Sequence, residues 1–364
     1  MSTKTKQRRA RRVVGVRATI FDVCRTLGVS TATVSRVMNN KPGVGPALRE
    51  KILTAMKQMN YVPQAAARQL SRTRSDAIGV IFQDLTAGWP LLILRGIMSR
   101  VSTTANAAFQ VNISLSLRAG DECELPRKML AEHRVDGLIW LDPRAPDALI
   151  EDLKKQTAPF VLLQRQMNDA DISTVAIDGR QGGYLAMRHL LSLGYRRILL
   201  LTGSETDENS REKLAGARRA AREFKHSVTA DRILVGHHVG AHAVKALAEY
   251  YGSDRPKPDA IFAFNDDMAI AVIQWLRHQG YRVPDDLAVI GFDGIAEAEY
   301  LGLTTIETPM YEMGVLAAQI LLDQINDPSG ERKARQVLLQ GRLHVRESCG
   351  AKRRPPAPAT TTPP

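Results

Sequence analysis

Residues 18–70 read ATIFDVCRTLGVSTATVSRVMNNKPGVGPALREKILTAMKQMNYVPQAAARQL, and this stretch decides the fold of the N-terminal part of the chain. Thr19 can cap a first helix whose apolar residues recur at helical spacing, and Gly28 allows the tight turn that ends it. Ser30 can cap a second helix with one apolar and one polar face. Helix, glycine-containing turn and helix predict a helix-turn-helix unit, which places its second helix in the DNA major groove.

The second helix carries most of the candidate DNA-contacting side chains. Arg36 can pair with guanine O6 and N7, although a phosphate contact or a solvated charge remains open. Small residues suit contact with a thymine methyl group, and hydroxyls can donate to phosphates. The predicted DNA-contacting residues of this region are Thr19, Ser30, Thr31, Ala32, Thr33, Ser35, Arg36 and Asn39.

Basic charge is concentrated at the N-terminal end. Residues 1–76 contain 16 Lys and Arg against 3 Asp and Glu, whereas the other 288 residues carry a net charge of about −1. Such a local excess is typical of phosphate binding. Residues 1–17 are predicted to be a disordered basic arm, either along DNA or as a solubilising tail. The Pro- and Thr-rich segment 349–364 is a predicted disordered tail without leucine heptads, which favours a homodimer over a tetramer.

From residue 77 onward, short apolar runs alternate with amphipathic helical stretches. This alternation predicts two doubly wound parallel sheets side by side, with a ligand crevice at the carboxyl ends of the strands. The fold class is therefore an all-α helix-turn-helix head followed by an α/β domain. The candidate strands are AIGVIFQD, QVNISLSL, DGLIWLD, FVLLQR, ISTVAID, RILLLTG, AIFAFND and LAVIGFD.

Several function classes are disfavoured by the sequence. It contains no dinucleotide-binding G-x-G-x-x-G after the first strand, no phosphate loop, no G-x-S-x-G and no H-E-x-x-H, so we predict neither an enzyme nor a cofactor. The 3 cysteines have no metal-ligand spacing. No signal peptide or membrane span is apparent, which predicts a cytoplasmic protein without a membrane partner. A receptor that only binds solute remains the alternative.

The strings DVCRTLGVSTATVSRVMN, NYVPQAAARQL, AIFAFNDDMAI and VPDDLAVIGFD occur in an order and spacing that resemble the LacI/GalR family of bacterial transcriptional regulators. The resemblance covers residues 18 to 348 approximately and is highly specific. It implies that QAAARQL is a hinge helix that folds only on operator DNA in a dimer. Leu70 would wedge into the minor groove beside Ala67 and Arg68. An ordinary linker is the alternative for Leu70.

The resemblance also implies the division of the chain. The effector domain would be of the type I periplasmic-binding-protein-like class, with crossings between its two subdomains near 172–176, 301–305 and 327–335. The expected segments are a basic arm at 1–17, the DNA-binding head at 18–62, a hinge and linker at 63–76, an effector and dimerisation domain at 77–348 (N-subdomain about 77–174 and 303–330, C-subdomain about 175–302 and 331–348) and the tail at 349–364.

The expected function is that of a repressor, associated with the bacterial nucleoid, whose affinity for a palindromic operator is controlled by a sugar, sugar acid or sugar phosphate. Two arginines, with Gln164 where many relatives carry Asp, suggest an anionic ligand. Alternatives remain open for some of the predicted effector contacts: Trp89 could be a core residue, Asn265 a helix cap, and Arg211 and His238 surface residues. The effector contacts implied by the resemblance are Gln83, Trp89, Arg165, Arg211, His238, Asn265 and Asp293.

Overall fold

The computed structural model shows two compact units, Met1–Arg74 and Ser75–Pro364. The predicted basic arm, nearly all of the predicted hinge and nearly all of the C-terminal tail lie outside the residues it describes. Those residues are 18–38, 41–61, 74–83, 85, 88–103, 109–117, 121–141, 146–155, 158–167, 169–327, 329 and 333–351.

The first unit contains α1 (Ile20–Leu27), α2 (Thr31–Met38) and α3 (Pro46–Gln58). Thr19 caps α1 in a reciprocal capping box with Asp22, and Gly28 ends the helix at φ 64°. A glycine suits this left-handed position because it has no Cβ. One apolar core joins the three helices through Val23, Val34, Val37, Ile52, Met56 and Tyr61. The predicted helix-turn-helix is therefore confirmed.

The second unit is built from two six-stranded sheets. The strands are β1 (Ala77–Phe82), β2 (Gln110–Leu115), β3 (Gly137–Leu141), β4 (Phe160–Leu163), β5 (Ser173–Ile177), β6 (Ile198–Thr202), β7 (Ile233–Val235), β8 (Ala260–Ala263), β9 (Ala288–Asp293), β10 (Thr304–Glu307), β11 (Gln336–Leu339) and β12 (Arg342–His344). The first sheet has the order β11-β5-β4-β3-β1-β2 and the second the order β12-β10-β9-β8-β6-β7. All pairings are parallel except that of β12 with β10.

Helices cover the sheets, so the inner strands β3, β4, β5, β6 and β8 are buried along their whole length. This burial is typical of parallel sheets with helices on both faces. The helices are α4 (Trp89–Ser102), α5 (Asp121–Ala131), α6 (Asp147–Lys154), α7 (Gly179–Ser192), α8 (Glu208–Glu223), α9 (Gly240–Tyr251), α10 (Asp266–His278), α11 (Ala296–Tyr300) and α12 (Met310–Asn326).

All eight predicted strands are present, but β7, β10, β11 and β12 were not predicted. These four strands are only three or four residues long, and β7, β11 and β12 are incompletely buried. A short strand without a continuous apolar run gives little signal in the sequence.

The chain crosses between the sheets at positions that differ from the predicted ones. Each crossing comes a few residues later, because β5 and β11 pair within the first sheet and β10 pairs within the second. The predicted subdomain boundaries are wrong for these strands. The end of β5 and all of β11 belong to the first subdomain, and β10 belongs to the second. The observed crossings follow β5 at residue 178, follow β10 at residues 308–309, and join β11 to β12 at residues 340–341.

The three crossings lie side by side. The backbone N–H of Asp178 donates to the carbonyl oxygen of Leu339 at 2.7 Å, which joins the first crossing to the third. Gly341 in the third crossing lies against Ile306 and Glu307, where a Cβ would come 2.6 Å from a methyl group of Ile306. The connections between the subdomains therefore form one compact bundle.

In each subdomain two helices touch backbone to backbone through glycines. A Cβ on Gly96 of α4 would overlap the carbonyl oxygen of Tyr311, and one on Gly314 of α12 would overlap that of Ile93. The pair α7 and α8 repeats this arrangement, since a Cβ on Gly183 would overlap the carbonyl oxygen of Lys213. Each subdomain therefore has a helix pair that only glycine permits.

Candidate functional site

The N-terminal unit presents the predicted DNA-contacting face of α2. Thr31, Ala32 and Arg36 are exposed, opposite the buried Val34 and Val37. This arrangement follows from helical spacing, because residues three and four apart share a face. The structure therefore leaves these three side chains accessible for contact with a DNA groove.

Three other predicted contact residues act within the head itself. The Thr19 hydroxyl donates to Asp22 Oδ2 at 2.7 Å, and its hydrogen bonds hold the pKa of Asp22 below the usual range. The Ser30 hydroxyl oxygen accepts from the backbone N–H of Thr33 at 3.2 Å, and the two hydroxyls are 2.9 Å apart. These side chains organise the helix starts, and DNA contact by them stays a prediction. Asn39, Ala67, Arg68 and Leu70 lie outside the described residues.

Arg49 was not predicted as a functional residue, yet it connects α3 to the end of α2. Its guanidinium donates to the carbonyl oxygens of Val37 at 3.5 Å and Lys41 at 2.9 Å. A charged donor satisfies carbonyls that a helix end leaves without intrahelical partners. Arg49 therefore helps to orient the helix that is expected to enter the groove.

In the second unit, the carboxyl ends of β6, β8 and β9 bring a polar cluster together. The ring Nε2 of His238 lies 2.8 Å from Asp207 Oδ2 and 3.1 Å from the Ser210 hydroxyl. Asn265 caps α10 through Met268 and donates to the carbonyl oxygen of His238 at 2.9 Å. The structure thus brings the predicted contacts His238 and Asn265 together, and both amide ends of Asn265 already have protein partners.

Asp207 is the acidic centre of this group. Burial tends to raise the pKa of Asp207, but the hydrogen bond and charge of His238 and the hydrogen bond from Ser210 outweigh it and lower the pKa to about 2. Asp207 therefore stays ionised at neutral pH. Its stabilising contribution is complete above the unfolded pKa near 4 and is lost as the pH falls towards 2.

Lys213, one turn further along α8, is buried at 7 % exposure. Its Nζ donates to the carbonyl oxygen of Phe264 at 2.8 Å and lies 3.8 Å from the centroid of the Phe292 ring. Burial lowers the pKa of Lys213, while Asp293 and Asp207 favour its charged form. Among the described residues no carboxylate forms an ion pair with this ammonium. The Phe264 carbonyl is thus its single hydrogen-bond acceptor among the described residues, and the Phe292 ring lies beside it.

Asp293 ends β9 beside Lys213, as the sequence predicted for a crevice residue. Its backbone lies in the left-handed half of conformational space, at φ 120°. Desolvation raises the pKa of Asp293 to about 8, although the Lys213 cation opposes the rise. The carboxyl group therefore has access to a neutral form that can donate a hydrogen bond as well as accept one.

The first subdomain faces this cluster through the residues after β4. The carbonyl oxygen of Gln164, at φ 59°, accepts from the Asn209 side chain at 3.4 Å. Arg165 instead forms an ion pair with Asp147 of its own subdomain. Its charge also favours ionisation of Glu208, whose pKa burial raises. Gln164 and Arg165 thus meet the first turn of α8.

Two further predicted contacts belong to the first subdomain. Gln83 follows β1 and is partly exposed. Trp89 was expected in a loop, but it is the first residue of α4 and packs partly buried against the apolar core. The sequence WP favours this helix start, because proline is well suited to the first helical turn.

Arg211 does not join the polar cluster. It is exposed, and its guanidinium donates to the carbonyl oxygen of Thr206 at 3.2 Å. Lys213 lies within the cluster, and effector contact by Arg211 stays a prediction. Helical spacing could have identified Lys213 as a buried residue. It lies three residues after the buried Ser210 and four before the buried Ala217, so all three share one face of α8.

Within the part of the chain that the structure describes, no cluster of three His, Cys, Asp or Glu side chains has a metal-binding arrangement. Nor does any described helix combine the length and the apolar character needed to cross a membrane.

Comparisons with protein families match both units. Residues 19–64 match the family described as bacterial regulatory proteins, lacI family, and residues 187–349 match the periplasmic binding protein-like domain. The HTH-type transcriptional repressor PurR of Photobacterium profundum is 33 % identical over 319 residues, covering 87 % of this chain and 94 % of its own. Catabolite control protein A of Priestia megaterium is 32 % identical over 336 residues, covering 91 % and 98 %.

Solved structures of two regulators are similar over nearly their whole length. The transcriptional regulator CelR–cellobiose complex has a TM-score of 0.69 at 29 % identity, covering 91 % of this chain and 100 % of its own. The lac repressor dimer bound to operator and the anti-inducer ONPF has a TM-score of 0.75 at 27 % identity, covering 91 % and 99 %.

Proposed function

The chain belongs to the LacI family of bacterial transcriptional regulators. From that premise we propose that it is a repressor, and that a small metabolite bound beside Lys213 controls its affinity for a palindromic operator. It is a DNA-binding regulator and not an enzyme, and it works as a dimer with a small-molecule effector. The match of residues 19–64 to the family's DNA-binding head argues against a receptor without DNA function. We place its action in the cytoplasm, on the nucleoid.

The observation that carries the effector site is the buried ammonium of Lys213. An ammonium has three donors, and only one has a hydrogen-bond acceptor among the described residues, the carbonyl of Phe264. The ammonium lies 3.8 Å from the centroid of the Phe292 ring, and the nearby Asp293 and Asp207 favour its charged form. A buried donor without a partner is costly, so an oxygen-bearing ligand gains affinity by satisfying it.

The structure alters the expected ligand class. The anionic hypothesis rested on Arg165 and Arg211, but Asp147 engages the first and the second is exposed. The cluster beside Lys213 instead contains the ionised carboxylate of Asp207 and the carboxyl group of Asp293, so the charge of Lys213 is balanced without an anionic ligand. We therefore propose a neutral polyhydroxyl ligand of the sugar class, with hydroxyls that donate to Asp293 and accept from Lys213. The structural relative solved with cellobiose supports this class.

For the remaining predicted effector contacts we propose graded roles. Gln83 and Trp89 line the crevice from the first subdomain, and His238 contacts the ligand with Asn265 holding its backbone. Asp293 keeps its predicted role as a direct contact. Arg165 would help to hold the two subdomains together through Glu208 rather than bind the ligand.

For the DNA interface we propose that Thr31, Ala32, Ser35 and Arg36 meet the major groove. Asn39 would extend this contact, while Thr19, Ser30 and Thr33 chiefly support the helix starts. Ala67, Arg68 and Leu70 remain proposed minor-groove contacts on the strength of the family resemblance, because unstacking a base step permits a bent duplex with more contact surface.

Arg36→Ala tests the DNA interface. If Arg36 reads a base, affinity for the operator falls by about 5- to 150-fold, equivalent to 1–3 kcal/mol, with little loss on random duplex. The measurement is fluorescence anisotropy with an operator selected from genomic fragments. Arg25→Ala, on an exposed position of α1, is the control and is expected to change affinity less than threefold. An equal loss on both duplexes would assign Arg36 to a phosphate.

The dimer face is proposed from large apolar side chains that the single chain leaves exposed. They include Leu91 and Met98 on α4, Ile113 and Leu115 on β2, and Tyr300, which is 86 % exposed at the end of α11. Exposed large apolar side chains are typical of interaction surfaces when they group together, and tyrosine is frequent at the energetic centres of such surfaces. A second copy of the chain is the partner that the family relationship supplies.

Tyr300→Lys tests this face. Loss of a central aromatic anchor is expected to weaken dimerisation about 30-fold or more, which corresponds to at least 2 kcal/mol. Sedimentation velocity over a dilution series measures the change. Phe224→Lys replaces another exposed aromatic residue of the same subdomain outside the proposed face and is expected to leave the dimer intact. An unchanged dimer in Tyr300→Lys would place the interface elsewhere.

A further inference from the structure

Asp266 is a wholly buried carboxylate that none of the roles above uses. It is the first residue of α10 and has 0 % exposure. Its Oδ2 accepts from the backbone N–H groups of Gly294 at 2.7 Å and Ile295 at 3.0 Å. Its Oδ1 accepts from the Thr305 hydroxyl at 2.6 Å. One side chain thus holds both the loop after β9 and the strand β10.

The segments that Asp266 holds lead from the ligand to the crossing. Gly294, at φ 79°, directly follows the proposed ligand contact Asp293. The carbonyl oxygen of Asp293 accepts from the backbone N–H of Thr308 at 2.9 Å and from its hydroxyl at 3.0 Å. Thr308 lies in the crossing that follows β10. Hydrogen bonds of Asp266 and Asp293 therefore connect the loop after β9, which carries the proposed ligand contact, to β10 and the crossing that follows it.

We propose that Asp266 is the positioning residue of the effector response: its carboxylate fixes the loop that carries Asp293 and the strand that enters the crossing, so that a ligand on Asp293 acts on the crossing. The proposal rests on the proposed effector site. It predicts two separable effects of Asp266, one through its hydrogen bonds and one through its charge.

The charge acts on a crowded group. Asp266 interacts electrostatically with Asp293 on β9 and with Lys213 on α8. Asp207 also acts on Lys213, Asp267 acts on Asp293, and His238 is bonded to Asp207. Burial raises the pKa of Asp266 to about 6, and burial together with the neighbouring Asp266 raises that of Asp293 to about 8. Both shifts make the folded protein bind protons that the unfolded chain releases. The contribution of these two carboxyl groups to the free energy of unfolding is therefore complete below pH 4. It is lost as the pH rises to about 8.

Asp266→Asn and Asp266→Ala separate the two effects. An asparagine can direct its oxygen to the N–H groups of Gly294 and Ile295 and donate its amide to the Thr305 hydroxyl, so it keeps the hydrogen bonds and removes the charge. Alanine removes both. Asp267 offers matched controls, because its carboxylate accepts from the backbone N–H of Gly240 at 2.7 Å, away from residues 294–305.

Hydrogen exchange of the full-length protein without ligand tests the hydrogen bonds. In Asp266→Ala, exchange across residues 291–309 is expected to accelerate at least tenfold, whereas Asp266→Asn stays within about twofold of the wild type. Asp267→Ala is expected to leave this segment unchanged. If Asp266→Ala fails to fold, Thr305→Val removes one hydrogen bond and should accelerate exchange at residues 303–309. Equal exchange in the Asp266 and Asp267 variants would overturn the proposal.

Thermal unfolding between pH 5 and pH 9 tests the charge, which a purely structural role would not affect. The wild-type melting temperature should fall across this range through Asp266 and Asp293. In Asp266→Asn the fall should be smaller, because Asp266 no longer titrates and its charge no longer raises the pKa of Asp293, while Asp267→Asn, which removes a weaker neighbour of Asp293, should change it less. An Asp266→Asn profile that parallels the wild type would overturn the proposal. A failed ligand screen, by contrast, would reject the effector site and leave both results standing.

Discussion

Exchange of Lys213 for methionine is expected to lower the affinity for the effector by about 10- to 150-fold, because a hydrogen bond from a charged group contributes about 1.5–3 kcal/mol. Methionine has a similar length and suits the contact with the Phe292 ring. Replacing a buried charge by an apolar residue of similar volume is often neutral or stabilising, so the fold should persist. Operator binding without ligand is expected to be unchanged.

The measurement is calorimetric titration with the sugar that gives the largest thermal shift in a screen of neutral sugars, sugar acids and sugar phosphates. Arg211→Met is the matched control, since Arg211 lies two residues earlier on the same helix and is exposed. It is expected to bind the ligand normally. A normal Lys213→Met together with a defective Arg211→Met would restore the assignment made from the sequence. Tight binding of sugar acids or phosphates with inert neutral sugars would reject the proposed ligand class.

Gly216→Ala is expected to produce the largest loss of stability among single-methyl changes in the second subdomain. Its Cβ would overlap the carbonyl oxygen of Arg180 and lie 2.7 Å from the backbone nitrogen of Tyr184. Overpacking costs about 1–3 kcal/mol. The upper part of that range applies here because backbone atoms of α7 cannot turn aside as a side chain can. The α8 helix must then shift, and Lys213, one turn earlier, shifts with it.

Circular dichroism during heating measures this destabilisation, and the ligand titration measures the displacement of Lys213. Gly252→Ala is the control in the same subdomain, because the atoms nearest its Cβ are 3.5 Å away or more, at ordinary contact distance. Its backbone has φ −77°, which any residue adopts, so the stability should stay within about 0.5 kcal/mol. A Gly216→Ala protein as stable as Gly252→Ala would show that α7 and α8 can separate freely.

The parts of the fold that the sequence predicted are those with local causes. The capping box of Thr19, the turn at Gly28 and the eight predicted strands depend on residues a few positions apart. The crossings were misplaced because a strand such as β5 joins one sheet or the other through partners far along the chain. The pattern of apolar residues identifies a strand, but it does not show which other strand pairs with it in the sheet.

The candidate site shows the same division. His238, Asn265 and Asp293 were predicted and lie at one edge of the second sheet, because strand ends are readable from the sequence. Lys213 was missed, since a lysine is rarely buried and its partners come from β8 and β9. Asp266 was not predicted as a functional residue, and only the tertiary structure shows that its carboxylate reaches a loop and a strand of later sequence.

The adjacent crossings at residues 178, 308–309 and 340–341 have a mechanical consequence. Three connections of one or two residues, with the first and third joined by a hydrogen bond, cannot lengthen enough to let the subdomains slide or part. We expect the remaining motion to be a rotation of one subdomain relative to the other, about an axis through the three connections. In the proposed repressor, a bound metabolite would therefore act by setting this single angle.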